Sequence, residues 1–156
     1  SLMFRLHNNA RKWGKELHSI ANGPIKNEFD LYYIFLLVGF GLGSKIPLSG
    51  TDSGELIRTY PKDYQAQKYK IAMLLLYSDL KGSGFDISNR SSVKSKILEI
   101  LSANSQTCLT DNAGKLLNSY ANGGFEAIRE KMEKAENDGS IFLSIIYDEF
   151  FPELFK

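Results

Sequence analysis

The stretch that most limits what this chain can become is Phe29-Asp-Leu-Tyr-Tyr-Ile-Phe-Leu-Leu-Val-Gly-Phe-Gly-Leu42. It has no charged residue after Asp30 and is apolar on every side. A helix that is hydrophobic all round must be enclosed by other protein or by lipid. A membrane span needs about 18 to 20 apolar residues and this run is several short, so the expectation is a central core helix and no membrane span. Asn27 is placed to cap it, and Glu28 and Asp30 fall in the first turn, where carboxylates favour the macrodipole. Gly39, Gly41 and Gly43 are expected to fray its end. Each fully buried Leu, Ile, Phe or Val contributes roughly 1.5–3 kcal/mol, enough for one such helix to anchor a fold.

A chain of 156 residues is long enough for one domain with a self-sufficient core. Its single cysteine, Cys108, excludes an intramolecular disulfide and a cysteine-based zinc cluster, and suits a reducing compartment. The first twenty residues carry Arg5, Arg11, Lys12 and Lys15 without an apolar h-region, so a cytoplasmic protein is expected. Ser1-Leu2 ahead of Met3 read as a cloning remnant. The net charge of +1 conceals an asymmetry. Residues 3 to 26 hold five basic side chains against Glu16, and residues 126 to 156 hold eight acidic against four basic. Such a split marks an anionic partner, pairing between subunits, or a plainly solvated surface.

Along the chain, Leu6, Ala10, Trp13, Leu17 and Ile20 recur at steps of four and three, which predicts an amphipathic helix over residues 3–22 ending at Asn22-Gly23-Pro24. His7, Arg11, Lys15 and His18 fall on its opposite face. Residues 27–156 read as the helical core domain, with the N-terminal helix as its part or its arm. Gly43 to Tyr60 reads as a loop with a short helical turn through Glu55–Arg58. Pro61 opens a helix to about Lys81 whose second half, Ile71–Tyr77, is nearly all apolar. Ser91 or Ser92 can cap a helix with Val93, Ile97, Ile100 and Leu101 on one face. Thr110 starts another, with Ala113, Leu116, Leu117 and Tyr120 inward and Asn122-Gly123 as its end. A charged helix follows with Phe125, Ile128 and Met132, and a Glu130–Lys134 pair. Asn137-Asp-Gly139 breaks it, and Ser140 caps a last helix with Phe142, Ile145, Ile146 and Phe150 on one side. No useful stretch alternates with period two. The prediction is an all-α, compact single-domain bundle of six or seven helices around the central apolar one.

Little in the sequence carries chemistry. Gly39-Phe-Gly-Leu-Gly-Ser-Lys45 has neither the Walker nor the dinucleotide spacing, and Pro47 stands where a phosphate-binding helix should begin. Fraying or close helix packing explains those glycines. His7 and His18, three turns apart at roughly 16 Å, cannot share a metal on one helix. Cys108 has no sequence cue to a base. Glu126, Glu130, Glu133, Glu136 and Asp138 are spread among Arg129, Lys131 and Lys134 like a solvated face. No catalytic residue, metal or cofactor is therefore assigned. Tyr60, Tyr64, Tyr69 and Tyr77, interleaved with Arg58, Lys62, Lys68 and Lys70, read as a tyrosine-lined core edge ahead of a base-stacking surface.

Three blocks carry a resemblance: residues 29–43 (Phe-Asp-Leu-Tyr-Tyr-Ile-Phe-Leu-Leu-Val-Gly-Phe-Gly-Leu-Gly), 55–64 (Glu-Leu-Ile-Arg-Thr-Tyr-Pro-Lys-Asp-Tyr) and 117–126 (Leu-Asn-Ser-Tyr-Ala-Asn-Gly-Gly-Phe-Glu). Together they resemble uncharacterised small helical accessory proteins encoded in prokaryotic DNA-modification and phage-defence islands. The resemblance implies a DNA-related setting and work within a larger complex, and it carries over no functional residue.

Two functions follow as expectations. One is a non-enzymatic accessory or adaptor protein, meeting a protein partner or its own copies through Leu6, Trp13 and Leu17. The alternative is a nucleic-acid-binding module using Arg5, Arg11, Lys12 and Lys15 on the basic face of the same segment.

Overall fold

The computed structural model describes residues 4–18, 23–84, 86–133 and 138–154. The chain is mostly helical. Among the described residues, six α-helices are joined by one two-stranded sheet: β1 (Phe4–His7), α1 (Asn8–His18), α2 (Glu28–Leu42), β2 (Ser53–Ile57), a 3-10 segment (Lys62–Gln67), α3 (Lys68–Gly82), α4 (Arg90–Ile100), α5 (Asp111–Lys131) and α6 (Gly139–Leu154).

The central helix is α2. Asn27 caps it through a reciprocal pair: its Oδ1 accepts from Asp30 N at 3.0 Å, and Asp30 Oδ2 accepts from Asn27 N at 3.2 Å. This satisfies two backbone donors that a helix start otherwise leaves unpaired. The helix does not fray at its first glycine. Gly39 and Gly41 stay helical, and Gly43 ends the helix in the left-handed region at φ 63.

Gly39 has a different task, because α5 crosses α2 there. A Cβ on Gly39 would fall inside the Tyr120 carbonyl, and one on Gly124 inside the Phe35 carbonyl. The two backbones touch, which only glycine allows. That contact overturns the expected helix end at Asn122-Gly123. Both glycines lie inside α5, whose 21 residues run unbroken and replace two predicted helices. Thr110 caps α5 as expected, accepting from Ala113 N at 3.1 Å.

The N-terminal segment departs furthest from its prediction. Residues 4–7 form a strand in place of the start of a helix, and the expected turn at 55–58 lies largely in its antiparallel partner. Arg5 faces Glu55, Leu6 faces Gly54 and His7 faces Ser53. Phe4 and Leu6 point inward, while Arg5 and His7 are half-buried. An isolated pair of strands is marginal in water. This one is held by Phe4, whose ring lies 4.9–5.5 Å from those of Phe29, Tyr32 and Tyr60. The helix that follows starts at Asn8 rather than at residue 3 and is described as far as His18. Ile20, Asn22, Lys134, Glu136 and Asn137, which the sequence reading used, lie outside the described residues.

Smaller differences are local. Pro61 precedes a 3-10 segment, and the α-helix starts at Lys68. Asn89 rather than Ser91 or Ser92 caps α4, accepting from Ser92 N at 3.1 Å. Asp138 rather than Ser140 meets the first amides of α6. Of the four tyrosines, Tyr60 is buried and Tyr64 donates to Asp30 Oδ1 at 2.5 Å, but Tyr69 and Tyr77 are exposed. No helix of the described residues is long and apolar enough to cross a membrane.

Candidate functional site

The N-terminal residues singled out by sequence separate in the structure. Leu6, Trp13 and Leu17 are 1 %, 6 % and 1 % exposed, inside the chain's own core. Trp13 meets Phe125 edge-on at 5.3 Å and Phe142 at 6.4 Å. A partner cannot dock on side chains already spent on folding. Arg5 is turned along the sheet, donating from Nε to Ser53 Oγ at 3.2 Å and from a terminal nitrogen to the Ser53 carbonyl at 3.0 Å. Arg11 lies over Gly54, with its guanidinium 3.9 Å from Glu28. Of the four candidate cations only Lys12 and Lys15 stand fully exposed. Strand pairing causes the separation, because it rotates Arg5 away from the face of α1.

A groove that sequence reading did not anticipate lies on another side of the molecule. Its volume is about 850 Å³. Ile34, Leu37, Val38 and Gly41 of α2 form one wall at the i, i+3, i+4, i+7 spacing. Leu74, Tyr77, Ser78 and Lys81 of α3 repeat that spacing on the second. Leu143, Ile146 and Phe151 of α6 form the third. Along each helix the lining covers about eight residue steps, roughly 12 Å.

Six large apolar side chains at or beside this groove stay 37–59 % exposed: Leu37, Leu42, Met73, Tyr77, Tyr147 and Phe151. Tyr147 and Phe151 stack on each other at 4.4 Å. The charges at its margins differ in sign. On α3 the exposed Lys70 and Lys81 flank the apolar stripe, while the one acid of that helix, Asp79, is buried. Helix α6 has Asp148 and Glu149 and no lysine or arginine. Glu149 faces Lys131 at 3.9 Å, whereas Lys70, Lys81 and Asp148 have no ionic partner among the described residues.

Behind the α3 wall is a concentration of buried charge. Asp79 is 1 % exposed and receives three groups. Lys96 Nζ of α4 lies 2.6 Å away, Lys45 Nζ of the α2–β2 loop 3.0 Å, and the Tyr120 hydroxyl of α5 donates at 3.2 Å. Burial by itself would push the Asp79 pKa up, but the hydrogen bonds and charges of Lys96 and Lys45 outweigh it and hold the group below the ordinary carboxylate value. Burial would lower Lys96, and Asp79 more than reverses that. Burial, then the Asp79 charge and hydrogen bond, raise Tyr120, so its hydroxyl keeps its proton and donates. Asp79, Lys96 and Tyr120 are each held in the protonation state that suits its neighbour. The arrangement binds α3, α4, α5 and the loop together, and it offers neither a poised base nor an activated nucleophile. No local spacing could have revealed it.

The remaining sequence candidates gather no chemistry. Cys108 adopts φ 64 in the turn between Leu101 and Leu109, where its N–H donates to the Ser105 carbonyl. His7 accepts from Asn9 N at 3.1 Å and leans on Phe125. Among the described residues no three His, Cys, Asp or Glu side chains come together as a metal set. The three blocks of residues 29–43, 55–64 and 117–126 contribute most of α2, the β2-to-Tyr64 segment and the middle of α5, the frame of the fold. Comparison with models of known protein families, with curated proteins and with solved structures finds no match in any of the three.

Proposed function

We propose that the protein is a non-enzymatic helical adaptor that works through protein–protein contact, with the groove between α2, α3 and α6 as its docking face. The observation that supports this reading is four large, partly exposed apolar side chains, Leu37, Leu42, Tyr77 and Phe151, gathered at one concave surface, with Tyr147 stacked beside Phe151. Contiguous apolar patches are uncommon on monomeric proteins and mark interaction sites. Tyrosine, phenylalanine and methionine are also the residue types enriched at protein interfaces. The paired i, i+3, i+4, i+7 stripes suit an amphipathic helix laid between them. The setting implied by the resemblance, a DNA-modification or phage-defence assembly, agrees with an adaptor's role and is part of the same proposal.

A photo-crosslinker tests it. Tyr77→p-benzoylphenylalanine places the probe at the groove, and Leu98→p-benzoylphenylalanine places it at an equally exposed apolar position on α4. In the native host, irradiation should give protein adducts from position 77 and not from position 98. No adduct at 77, or the same adducts from both positions, overturns the reading.

A further inference from the structure

Resting on the reading of the groove as a protein-docking face, we infer that its occupant is a second copy of this chain. Helix α6 of each copy enters the groove of the other about a twofold axis. Three observations converge on this arrangement.

The first is charge. A twofold contact brings one surface patch against itself, so the patch must complement itself. Here the α3 margin carries Lys70 and Lys81, and the α6 helix carries Asp148 and no base. Within one chain these charges do not pair. With α6 of a second copy laid between α3 and α6, its Asp148 faces Lys81, the lysine that lines the groove, and the same contact recurs on the other side of the axis.

The second is length. The α2 and α3 walls present about 12 Å each, and the 16 residues of α6 make a helix of about 24 Å. A helix of this chain is therefore long enough to cover the groove of another copy, with Tyr147 and Phe151 meeting their counterparts across the axis.

The third is area. A stable interface takes about 800 Å² from each partner, close to a tenth of the 8987 Å² surface of this chain. The six apolar side chains, each 37–59 % exposed in the single chain, are surface that such an interface would cover.

Sedimentation equilibrium of the purified chain over about 1–100 µM is the test. The expected mass is twice 17.6 kDa. Tyr77→Asp should give a monomer with an unchanged helical circular dichroism spectrum, because that ring is 59 % exposed in the single chain. Asp148→Lys should raise the dimer Kd roughly tenfold, as should Lys81→Glu, since each reverses two symmetric exposed pairs. The chain carrying both changes should recover most of the loss, because the swapped charges again meet their opposites.

A wild-type monomer at the top concentration overturns the inference. So does a dimer indifferent to Tyr77→Asp, and so do charge variants whose defects add instead of cancelling. The two failures are distinguishable. A monomer whose position-77 probe captures another protein in the host removes the self-association and leaves the adaptor reading standing. A monomer that captures nothing removes both.

Discussion

Replacing Gly124 by alanine tests the central contact of the fold. Two effects oppose each other. Alanine in a helix interior is favoured over glycine by about 1 kcal/mol. Against that, the new Cβ would overlap the Phe35 carbonyl oxygen, lie 2.7 Å from its carbon, and lie 2.9 Å from Gly39 N. All three atoms belong to the backbone of α2, so no side-chain rotation can relieve them. Ordinary contact between such atoms is about 3.5–4.0 Å, which requires the helices to separate by about 1 Å. That shift would loosen the packing of Phe35 on Phe125, now 5.2 Å apart, along the whole crossing. Overpacking a tight core costs typically 1–3 kcal/mol and more where the backbone must move. Taking about 3–4 kcal/mol and subtracting the propensity gain leaves a net loss of about 2–3 kcal/mol. For a domain of this size the melting temperature should fall by about 5–10 °C, read by circular dichroism at one fixed protein concentration. Gly14→Ala is the control. Its Cβ would come 3.3 Å from the flexible Glu28 side chain and 3.6 Å, an ordinary contact, from Leu31 Cδ2, so the propensity gain should survive and the protein should be as stable or slightly more so. If Gly124→Ala matched or exceeded wild type while Gly14→Ala behaved normally, the backbone contact would not be what sets the α2–α5 distance.

Three further outcomes are expected. Trp13→Ala should cost about 3–5 kcal/mol in urea unfolding, because the ring is sealed between Phe125 and Phe142; a variant that keeps its stability but loses a subunit would restore Trp13 as a docking residue. Asp79→Asn takes the carboxylate partner from Lys45 and leaves Lys96 with the exposed Glu99 at 3.8 Å, and should cost about 3–5 kcal/mol near neutral pH. Because the folded pKa of Asp79 lies below its unfolded value, that stability is complete above the ordinary carboxylate range and fades as pH falls through the lowered folded pKa. Melting curves between about pH 6 and 2 should therefore converge for wild type and Asp79→Asn at the acid end, and parallel curves would contradict the assignment. For nucleic acid, Lys12 and Lys15 alone remain fully exposed, so duplex binding measured by fluorescence anisotropy should be weak, with a log–log salt slope no steeper than about −1.8. A slope near −3 would mean that Arg5 or Arg11 leaves its internal partners for phosphate.

How far the sequence could be read follows the range of the interactions involved. Helix α2 was legible because a run apolar on all sides leaves one soluble solution, and its cap because Asn27 and Asp30 act within three residues. The Thr110 cap was legible for the same reason. The strand β1 was not, since Leu6 satisfies both a helical stripe with Ala10 and Trp13 and a two-residue alternation with Phe4. Only pairing with β2, nearly fifty residues away, decides between them. Gly123-Gly124 is ambiguous in the same way. Read locally it ends a helix, and read against Phe35 and Gly39 it lets two helices touch. Residues 45, 79, 96 and 120 meet around one carboxylate from four separate elements, so no motif could announce them. The groove lay between these cases. Both stripes, 34-37-38-41 and 74-77-78-81, stand in the sequence, but which side of each stays uncovered depends on where α6 comes to rest.

The groove is thus a consequence of the feature that anchors the fold. A helix without charge beyond Asp30 must be covered on every side, and this chain covers α2 unevenly. Helix α5 reaches it backbone to backbone, the Phe4 strand and α1 close a second side, and α3 lies along a third. At the remaining side α6 supplies Leu143 and Ile146 but leaves Leu37 and Leu42 more than a third exposed. Ile34 and Val38 of the stripe pack in or on the core, but position 37 borders water in the single chain, where a charge would meet little desolvation penalty and the chain's own folding does not require leucine. An apolar residue kept where a polar one would fold as well is accounted for when something apolar covers it, and α6 of a second copy has the length, the aromatic side chains and the opposite charge to do so.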